Sequence, residues 1–598
     1  MSIVSSIAAP LVPPPDDVTI PEFFLDGKRR HPTEPMVDRE IPSLIEENTG
    51  RRIFLGEVSL PGMRTRTDHL ARSLKQRWDI RDGDIVSLIT PNHVDYPVCI
   101  WAVHRLRGVV AATSPTLTKD ELVFTLNISK PKLIICHVDN LEVTVRAAAA
   151  IGFIEKNIIV LDGEKKSDSG THKAVDGLVK EGGRLPGVHV QPLKPGEAKS
   201  KLAFLCFSSG TTGKPKGVCI SHYNLICNVL QVATFKRVNE DYTTYDRRRH
   251  RPGDVCSGGE SVIMPNSVSY LNRNAVLPLY HIYGLVVNLH FIIYAKMTLV
   301  VSQKFDFLKM LQSIKEYRMT HLMIVPPQAV LLCKHPAAAN ADLSSVRYCM
   351  VAGAPVTAEL VKQLVERLPG VELGQGYGMT ESCAAVSMWP VTQRVGTLGS
   401  GGQLVSGTFA KVIKTDGTLA KVGEKGELWI KGGQVSPGYY MDEEATREMF
   451  VDGWLRTGDE VMFQPNGDLF IVDRIKELIK VKGNQVAPAE LEGHLLEHPD
   501  VADAGVIGVQ DDYSGEVPLA YIVLQPDLAQ LVKADQKRAA QAKEALFTHV
   551  STTKSKHKWL TGGIEFIDVL PKSPSGKILR RVLREMAAVK TSPVSAKL

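Results

Sequence analysis

The chain contains no Cys-x-x-Cys pair, and its nine cysteines are scattered, with no Cys/His group at zinc spacing. That argues against a disulfide framework and a structural zinc site, and for a reducing compartment. The opening Met1-Ser2-Ile3-Val4 has no basic stretch followed by a long apolar core, which argues against a secretory signal. No long uninterrupted apolar run occurs either. The most apolar region, Leu285 to Val301, is broken by Asn288, His290 and Lys296, and reads as a buried helix and strand rather than a membrane span. A net charge of +6 spread over 598 residues gives no case for nucleic acid as a partner.

What is present is ordinary for a globular chain, 44% hydrophobic and 23% charged, and too long for a single core. Residues 1–40 are Pro-rich and irregular, and read as a loose surface arm. From Arg64 onwards, helical spacing (Leu70, Leu74) alternates with strand-like runs such as Asp84 to Ile89, Val109 to Ala112 and Lys132 to Cys136. This alternation continues to about residue 390 and predicts parallel sheets covered by helices. From Gly407 short alternating runs between Gly and Asp turns predict a smaller β-rich region. After Asp473-Arg474 a compact α+β unit is expected, with a helix at Pro488–Glu497, strands at Ala502–Val509 and Pro518–Leu524, and a charged helix at Asp535–His549. Residues 236–262 include Arg247-Arg248-Arg249-His250-Arg251 but show no apolar periodicity, and read as a solvated, mobile insertion.

One glycine-rich stretch organises the rest, Ser208-Ser209-Gly210-Thr211-Thr212-Gly213-Lys214-Pro215-Lys216-Gly217. It follows the strand-like run Leu202 to Phe207 and precedes a helix start with Ser221 as N-cap. Glycines let backbone N–H groups turn onto an anion, hydroxyls add donors and lysines add charge. A Walker loop needs a second glycine five positions after the first, then Lys and Ser or Thr. Counting from Gly210, Pro215 stands in that place, so the P-loop NTPase reading fails on spacing.

Further groups follow downstream. Gln375-Gly376-Tyr377-Gly378-Met379-Thr380-Glu381 combines flexible backbone, an aromatic face, a hydroxyl and a carboxylate. Trp454-Leu455-Arg456-Thr457-Gly458-Asp459 ends in an acid after a tight turn, and Asp473-Arg474-Ile475-Lys476 is a charged run at a change of texture. Pro571-Lys572-Ser573-Pro574-Ser575-Gly576-Lys577 is a proline-bounded loop carrying a lysine. In this order the motifs resemble the signature of the adenylate-forming superfamily of acyl-CoA synthetases, luciferases and adenylation domains. Lys482 to Glu492 is similar to the 4-coumarate:CoA ligase-like branch. The resemblance runs from about residue 40 to 585.

It implies an α/β fold: a large N-terminal domain (41–473) of two parallel-type αβαβα sheets plus a distorted β-barrel. A hinge at 474–476 would join it to a small α+β domain (477–590), leaving a tail at 591–598. It also implies ATP with Mg²⁺ and coenzyme A as the other substrates of a carboxylic acid. Ser208, Ser209, Gly210, Thr211, Thr212, Gly213 and Lys216 would hold ATP phosphates, and Thr380 the α-phosphate, with Glu381 on the metal. Gln375, Gly376 and Tyr377 would face adenine from one side and Gly353-Ala354-Pro355 from the other; Asp459, Arg474 and Lys476 would serve the ribose side and the hinge. Lys577 would bridge the acid and the α-phosphate, and His281 would orient the acid. After adenylation Lys480 and Gln485 would replace Lys577, and Lys304, Lys482 and Gly483 would meet coenzyme A. Tyr283, Tyr348, Met350, Gly353, Ala384 and Ala385 would line the acyl site, where two alanines leave room for an aryl acid or a medium-chain fatty acid.

Two further readings stay open at this point, a luciferase-like adenylating oxygenase and an enzyme that loads a carrier protein. The final Ala596-Lys597-Leu598 resembles a peroxisomal address, which implies an import receptor as partner and the peroxisome, otherwise the cytoplasm, as location.

Overall fold

The computed structural model describes residues 3–37, 40–56, 62–163, 165–167, 170–208, 215–240, 250–259, 277–354, 356, 358–482, 484–511, 514–573 and 577–591. Ser209 to Gly213, Pro355, Gly483 and the terminal Ala596-Lys597-Leu598 therefore lie outside the described residues.

Three sheets build the large part of the molecule. The first has seven strands in the order Gly438–Tyr439, Lys216–Ser221, Leu202–Ser208, Val109–Thr113, Ile85–Ile89, Leu133–Cys136, Ile158–Val160. Its inner strands are parallel and buried along their length, which is why they appear as unbroken apolar runs. The second has nine strands, parallel through Glu372–Met379, Tyr348–Val351, His321–Ile324, Val255–Gly259 and Thr298–Ser302.

The third sheet has six strands, with Val4–Ser5 at one end of its path and Phe450–Val451 at the other. It is open, so the expected barrel is not a closed one. Instead Ala410, Val412, Leu428, Ile430, Leu455 and Val461 pack on Met379, Val386 and Leu404 of the second sheet. Side-chain packing covers the face that a barrel would have covered by curling. The small C-terminal sheet has five strands, Asn484–Val486, Ile479–Val481, Gly515–Leu524 and Val501–Asp511 in order, with Gly563–Phe566 parallel to Gly515–Leu524. Among the described residues no helix is long and apolar enough to cross a membrane.

Three expectations need correction. Residues 1–40 are not a loose arm throughout: Val4–Ser5 pairs with Phe409–Ile413, and helix Ile20–Phe24 buries Ile20, Phe23 and Phe24 in the main core. Burying side chains of that size contributes about 1.5–3 kcal/mol each. Nor is 236–262 an insertion throughout. Lys236 closes a buried helix, and Val255–Gly259 is an inner strand of the second sheet, held by bonds on both edges. Arg247 to Arg249 lie outside the described residues.

Finally, the glycine-rich loop does not lead straight into a helix. Lys216–Ser221 returns antiparallel along Leu202–Ser208, with Ser208 opposite Lys216, and only then does helix His222–Lys236 begin. Gly217 to Ile220 supply the continuous apolar run that makes the second strand, buried along its length. Ser221 is the N-cap as expected, its hydroxyl accepting from Asn224 N–H at 3.1 Å.

Candidate active site

The hairpin hands Ser208 to the neighbouring sheet. Its hydroxyl donates to Glu381 Oε1 at 3.2 Å, and the Tyr439 hydroxyl donates to the same oxygen at 3.0 Å. The Lys216 ammonium lies over the Tyr439 ring, 5.0 Å from its centroid. Glu381 is buried, its carbonyl fixed by Ser436 N–H, and Oε2 makes no hydrogen bond among the described residues. A carboxylate oxygen left open on a largely buried residue, beside a hydroxyl, suits a hard divalent cation such as Mg²⁺. Tyr439 was not anticipated; the only local trace of it is the Pro437-Gly438-Tyr439-Tyr440 turn composition.

Asp459 does not follow a tight turn. It sits within the ten-residue strand Trp454–Phe463, directly opposite Arg474 on Leu469–Arg474. The preceding Gly458 has φ 70°, a left-handed conformation that glycine adopts without strain. Arg474 Nε is 3.5 Å from Asp459 Oδ1, and the Tyr377 hydroxyl donates to Oδ2 at 2.5 Å. Burial pushes the Asp459 carboxyl above its ordinary range, while Arg474 and Tyr377 pull it back. Tyr377 thus joins the acid through its hydroxyl, a contact that an adenine-stacking reading did not include. Gln375 and Gly376 precede it on strand Glu372–Met379, and Thr380 follows, half-buried.

Lys577 comes from the small domain into this group. Its loop is pinned where Lys577 N–H donates to the Ser573 hydroxyl at 3.1 Å and Ser573 N–H to the Lys577 carbonyl at 2.7 Å. Burial and then the charge of Arg474 lower its pKa, with Glu381 and Asp459 acting in the opposite sense. The same ammonium acts on His281, whose pKa burial and Lys577 together bring down to about 3. His281 Nδ1 accepts from Tyr283 N–H at 3.3 Å, so the neutral ring carries its hydrogen on Nε2.

The acyl-site candidates divide. His281 and Tyr283 stand at the head of the eight-residue π-helix Gly284–Phe291, a wind that periodicity did not reveal. The Tyr283 hydroxyl is buried and has no partner among the described residues. Ala384 and Ala385 open strand Ala384–Met388, and Ala384 has φ 89° directly after Cys383 at φ 49°. Two successive non-glycine residues in that region mark a strained wall. Asn228, in helix His222–Lys236, grips this wall, its Oδ1 accepting from Ala385 N–H at 3.0 Å and its amide donating to the Ala385 carbonyl at 2.8 Å. An Asn among the apolar residues of that helix was the available signal. Tyr348 stacks between His321 and Trp389 within the core, at centroid distances of 4.8 and 5.0 Å. Met350 is buried on the same strand, and Gly353 lies in the turn after it.

The remaining candidates are not gathered here. Lys480 and Gln485 face each other across the hairpin of Ile479–Val481 and Asn484–Val486, both exposed, as are Lys482 and Lys304. Lys476 is exposed in the turn between the two parts of the molecule. There Ile475 N–H donates to the Gly458 carbonyl at 2.9 Å and Leu478 N–H to the Arg474 carbonyl at 3.1 Å.

Two family descriptions match the chain, "AMP-binding enzyme" over residues 57–440 and "AMP-binding enzyme C-terminal domain" over 490–577. A probable CoA ligase of Humulus lupulus, CCL5, is 32% identical over 92% of this chain and 90% of its own. A probable 4-coumarate–CoA ligase of Dictyostelium discoideum is 34% identical over 85% and 87%. Among solved structures, o-succinylbenzoate CoA synthetase (MenE) of Bacillus subtilis with its acyl-adenylate intermediate is 25% identical, with a TM-score of 0.71, over 92% of this chain and 96% of that one.

Proposed function

The chain belongs to the AMP-binding enzyme family, and on that premise we propose that it joins a hydrophobic carboxylic acid to coenzyme A at the expense of ATP. A carboxylate is a poor electrophile, because its charge repels nucleophiles and oxide does not leave. Attack of one carboxylate oxygen on the α-phosphate of ATP forms the acyl-adenylate and releases pyrophosphate. The coenzyme A thiol then adds to the acyl carbon, AMP leaves, and the thiol proton passes to solvent.

The observation that carries this reading is Lys577. A lysine from one domain lies among Asp459, Arg474, Glu381 and His281 of the other. The first step brings an anion to an anion, and a mobile ammonium between acid and α-phosphate stabilises the charge that develops there. Asp459 accepts from the ribose hydroxyls, and Ser208 with Lys216 serves the departing phosphates, beside Ser209 to Gly213. Glu381 would hold Mg²⁺, which when bound neutralises phosphate charge. His281, neutral, offers its Nε2 hydrogen to the acid. For the second step the small domain turns about Lys476, withdraws Lys577, and brings Lys480 and Gln485 inward. Lys304 and Lys482, with Gly483, then receive coenzyme A.

The acid is an aryl, phenylpropanoid-type acid or a medium-chain fatty acid. The unpaired Tyr283 hydroxyl favours an aryl acid with a hydrogen-bonding ring substituent, because a buried hydroxyl gains most from a partner. The test is pyrophosphate release with coenzyme A across cinnamates, hydroxycinnamates, benzoates, phenylacetate and fatty acids of graded length. AMP and pyrophosphate in equal amounts, with hydroxycinnamate preferred over cinnamate, are expected. ADP as the product would overturn the reaction, and a preference for unsubstituted chains would overturn the substrate reading alone.

A further inference from the structure

Helix Pro488–Leu496 of the small domain is held at both ends by side chains of the large domain. Its N-cap is Ala487, which has no side-chain oxygen to offer, and Pro488 follows with no N–H to donate. The first N–H that the helix presents, that of Ala489, goes to Asp473 Oδ2 at 3.1 Å. Asp473 is buried near the end of strand Leu469–Arg474 in the third sheet. Its other oxygen accepts from Arg474 N–H at 2.7 Å, which fixes the direction of the carboxylate. At the far end, Leu496 carries one of the last carbonyls, which no further turn of the helix can satisfy. The Lys334 ammonium donates to it at 3.4 Å. Lys334 ends helix Pro326–Lys334, whose Ala329, Leu331 and Leu332 pack in the core under the second sheet. A helix bears partial positive charge at its N-terminus and partial negative charge at its C-terminus. The large domain thus meets each end with the opposite charge, an anion at the start and a cation at the finish.

The same helix carries the loop of Lys577. Arg580, three residues beyond that lysine, gives one nitrogen to both oxygens of Glu492, in the middle of the helix, at 2.8 Å each. Its second terminal nitrogen donates to Glu477 at 2.6 Å, and its Nε to the Val506 carbonyl at 3.2 Å. All three guanidinium nitrogens are engaged, and two of them are charge-assisted, the strong and directional kind of hydrogen bond. The loop and the helix are thereby one piece, and whatever sets the helix also sets Lys577.

We propose that Asp473 and Lys334 are positioning residues, which cradle this helix by its dipole and so set the small domain in the orientation that presents Lys577. The proposal rests on the two-step reaction given above. Neither residue belongs to the group around Lys577; both act through the helix and Arg580. When the small domain turns about Lys476, Asp473 and Lys334 stay with the large domain, and the helix gives up both end contacts together. The cradle therefore favours one orientation over the other, and its strength appears in the balance between the two half-reactions. The two contacts differ in setting, because Asp473 is buried and Lys334 is exposed, where salt screens it.

The test uses the full-length protein at low ionic strength, with the acid preferred in the panel above. Two rates are measured: acid-dependent exchange of pyrophosphate into ATP, and thioester formation from the supplied acyl-adenylate and coenzyme A. The first scales with the population that presents Lys577 and the second with the population that has turned away. Their ratio follows the equilibrium between the two, wherever that equilibrium starts. Lys334→Glu should raise the ratio of thioester formation to exchange about threefold and Asp473→Asn about fivefold, the two effects multiplying in the double variant. Lys334→Arg should keep the wild-type ratio. A merely structural role would lower both rates alike and leave the ratio where it was. An unchanged ratio in Lys334→Glu overturns the cradle. Because that exposed change alone decides the matter, a folding defect in Asp473→Asn does not protect the proposal. Absence of exchange in the wild type with every acid of the panel would overturn the proposed reaction itself, and is seen before any variant is made.

Discussion

The small domain shows two different faces to the rest of the molecule. The loop that carries Lys577 is turned inward, its backbone held by Ser573, with the ammonium among Glu381, Asp459 and Arg474. The hairpin that carries Lys480 and Gln485 is turned to solvent. The inward lysine is depressed in pKa by burial and by Arg474, so holding it charged in that position costs free energy in the absence of a phosphate. On the mechanism proposed above, this is the arrangement suited to adenylation. The rotation proposed for the second step would fall at the turn Ile475 to Leu478, which is fixed by a few backbone bonds.

The largest effect that could break this comparison is at Lys577. Lys577→Ala is expected to slow adenylation about 10²–10³-fold, measured as acid-dependent exchange of pyrophosphate into ATP. It should leave the reaction of a supplied acyl-adenylate with coenzyme A near the wild-type rate. Equal losses in both half-reactions would refute the division of labour. Next comes the outward hairpin. Lys480→Ala should reduce thioester formation about tenfold, or about 1.4 kcal/mol, while exchange is retained; a loss in exchange would mean that both faces serve one step.

The smallest effect concerns His281, which faces the inward lysine. Its folded pKa of about 3 lies below the ordinary 6.5. As pH falls through 6.5 an unfolded chain takes up a proton there that the folded one refuses. This group therefore costs no stability above pH 6.5; the cost grows as pH falls towards about 3 and stays at its full size below that. Within the folded enzyme the ring stays neutral, so His281→Asn should leave the shape of the pH–rate profile unchanged from about pH 5 to 8. The disappearance of a limb near pH 6.5 in the variant would show that His281 titrates in the working enzyme.

Much of this was legible in the chain because it is local. The N-cap at Ser221, the apolar runs of the first sheet and the lysine loop at 571–577 each carry their signal within a few residues. What escaped depends on partners far away in sequence. Val255 to Gly259 has little strand character of its own, with a serine and two glycines, and becomes a strand because His321–Ile324 and Thr298–Ser302 supply bonds on both sides. Phe23 and Phe24 looked like part of a proline-rich arm because their pocket, beside Trp101, His290 and Tyr294, is assembled from other segments. Asp459 was placed at a turn because Gly458 commonly marks one, whereas here the glycine lets a strand continue in an unusual conformation. Tyr439 on Glu381 and Asn228 on Ala385 are contacts across 58 and 157 positions, a separation at which composition carries no information.

The wall at Ala384 has a practical consequence for redesign. A side chain added at Gly378 would put its first carbon 1.6 Å from the Ala384 carbonyl oxygen. That obstacle is backbone, which no rotamer can move aside. If the proposed acyl pocket is right, a library meant to change the accepted acid gains nothing by randomising position 378. It should vary 384 and 385 instead, keeping Asn228 fixed, so that selection works on pocket shape and not on whether the sheet closes.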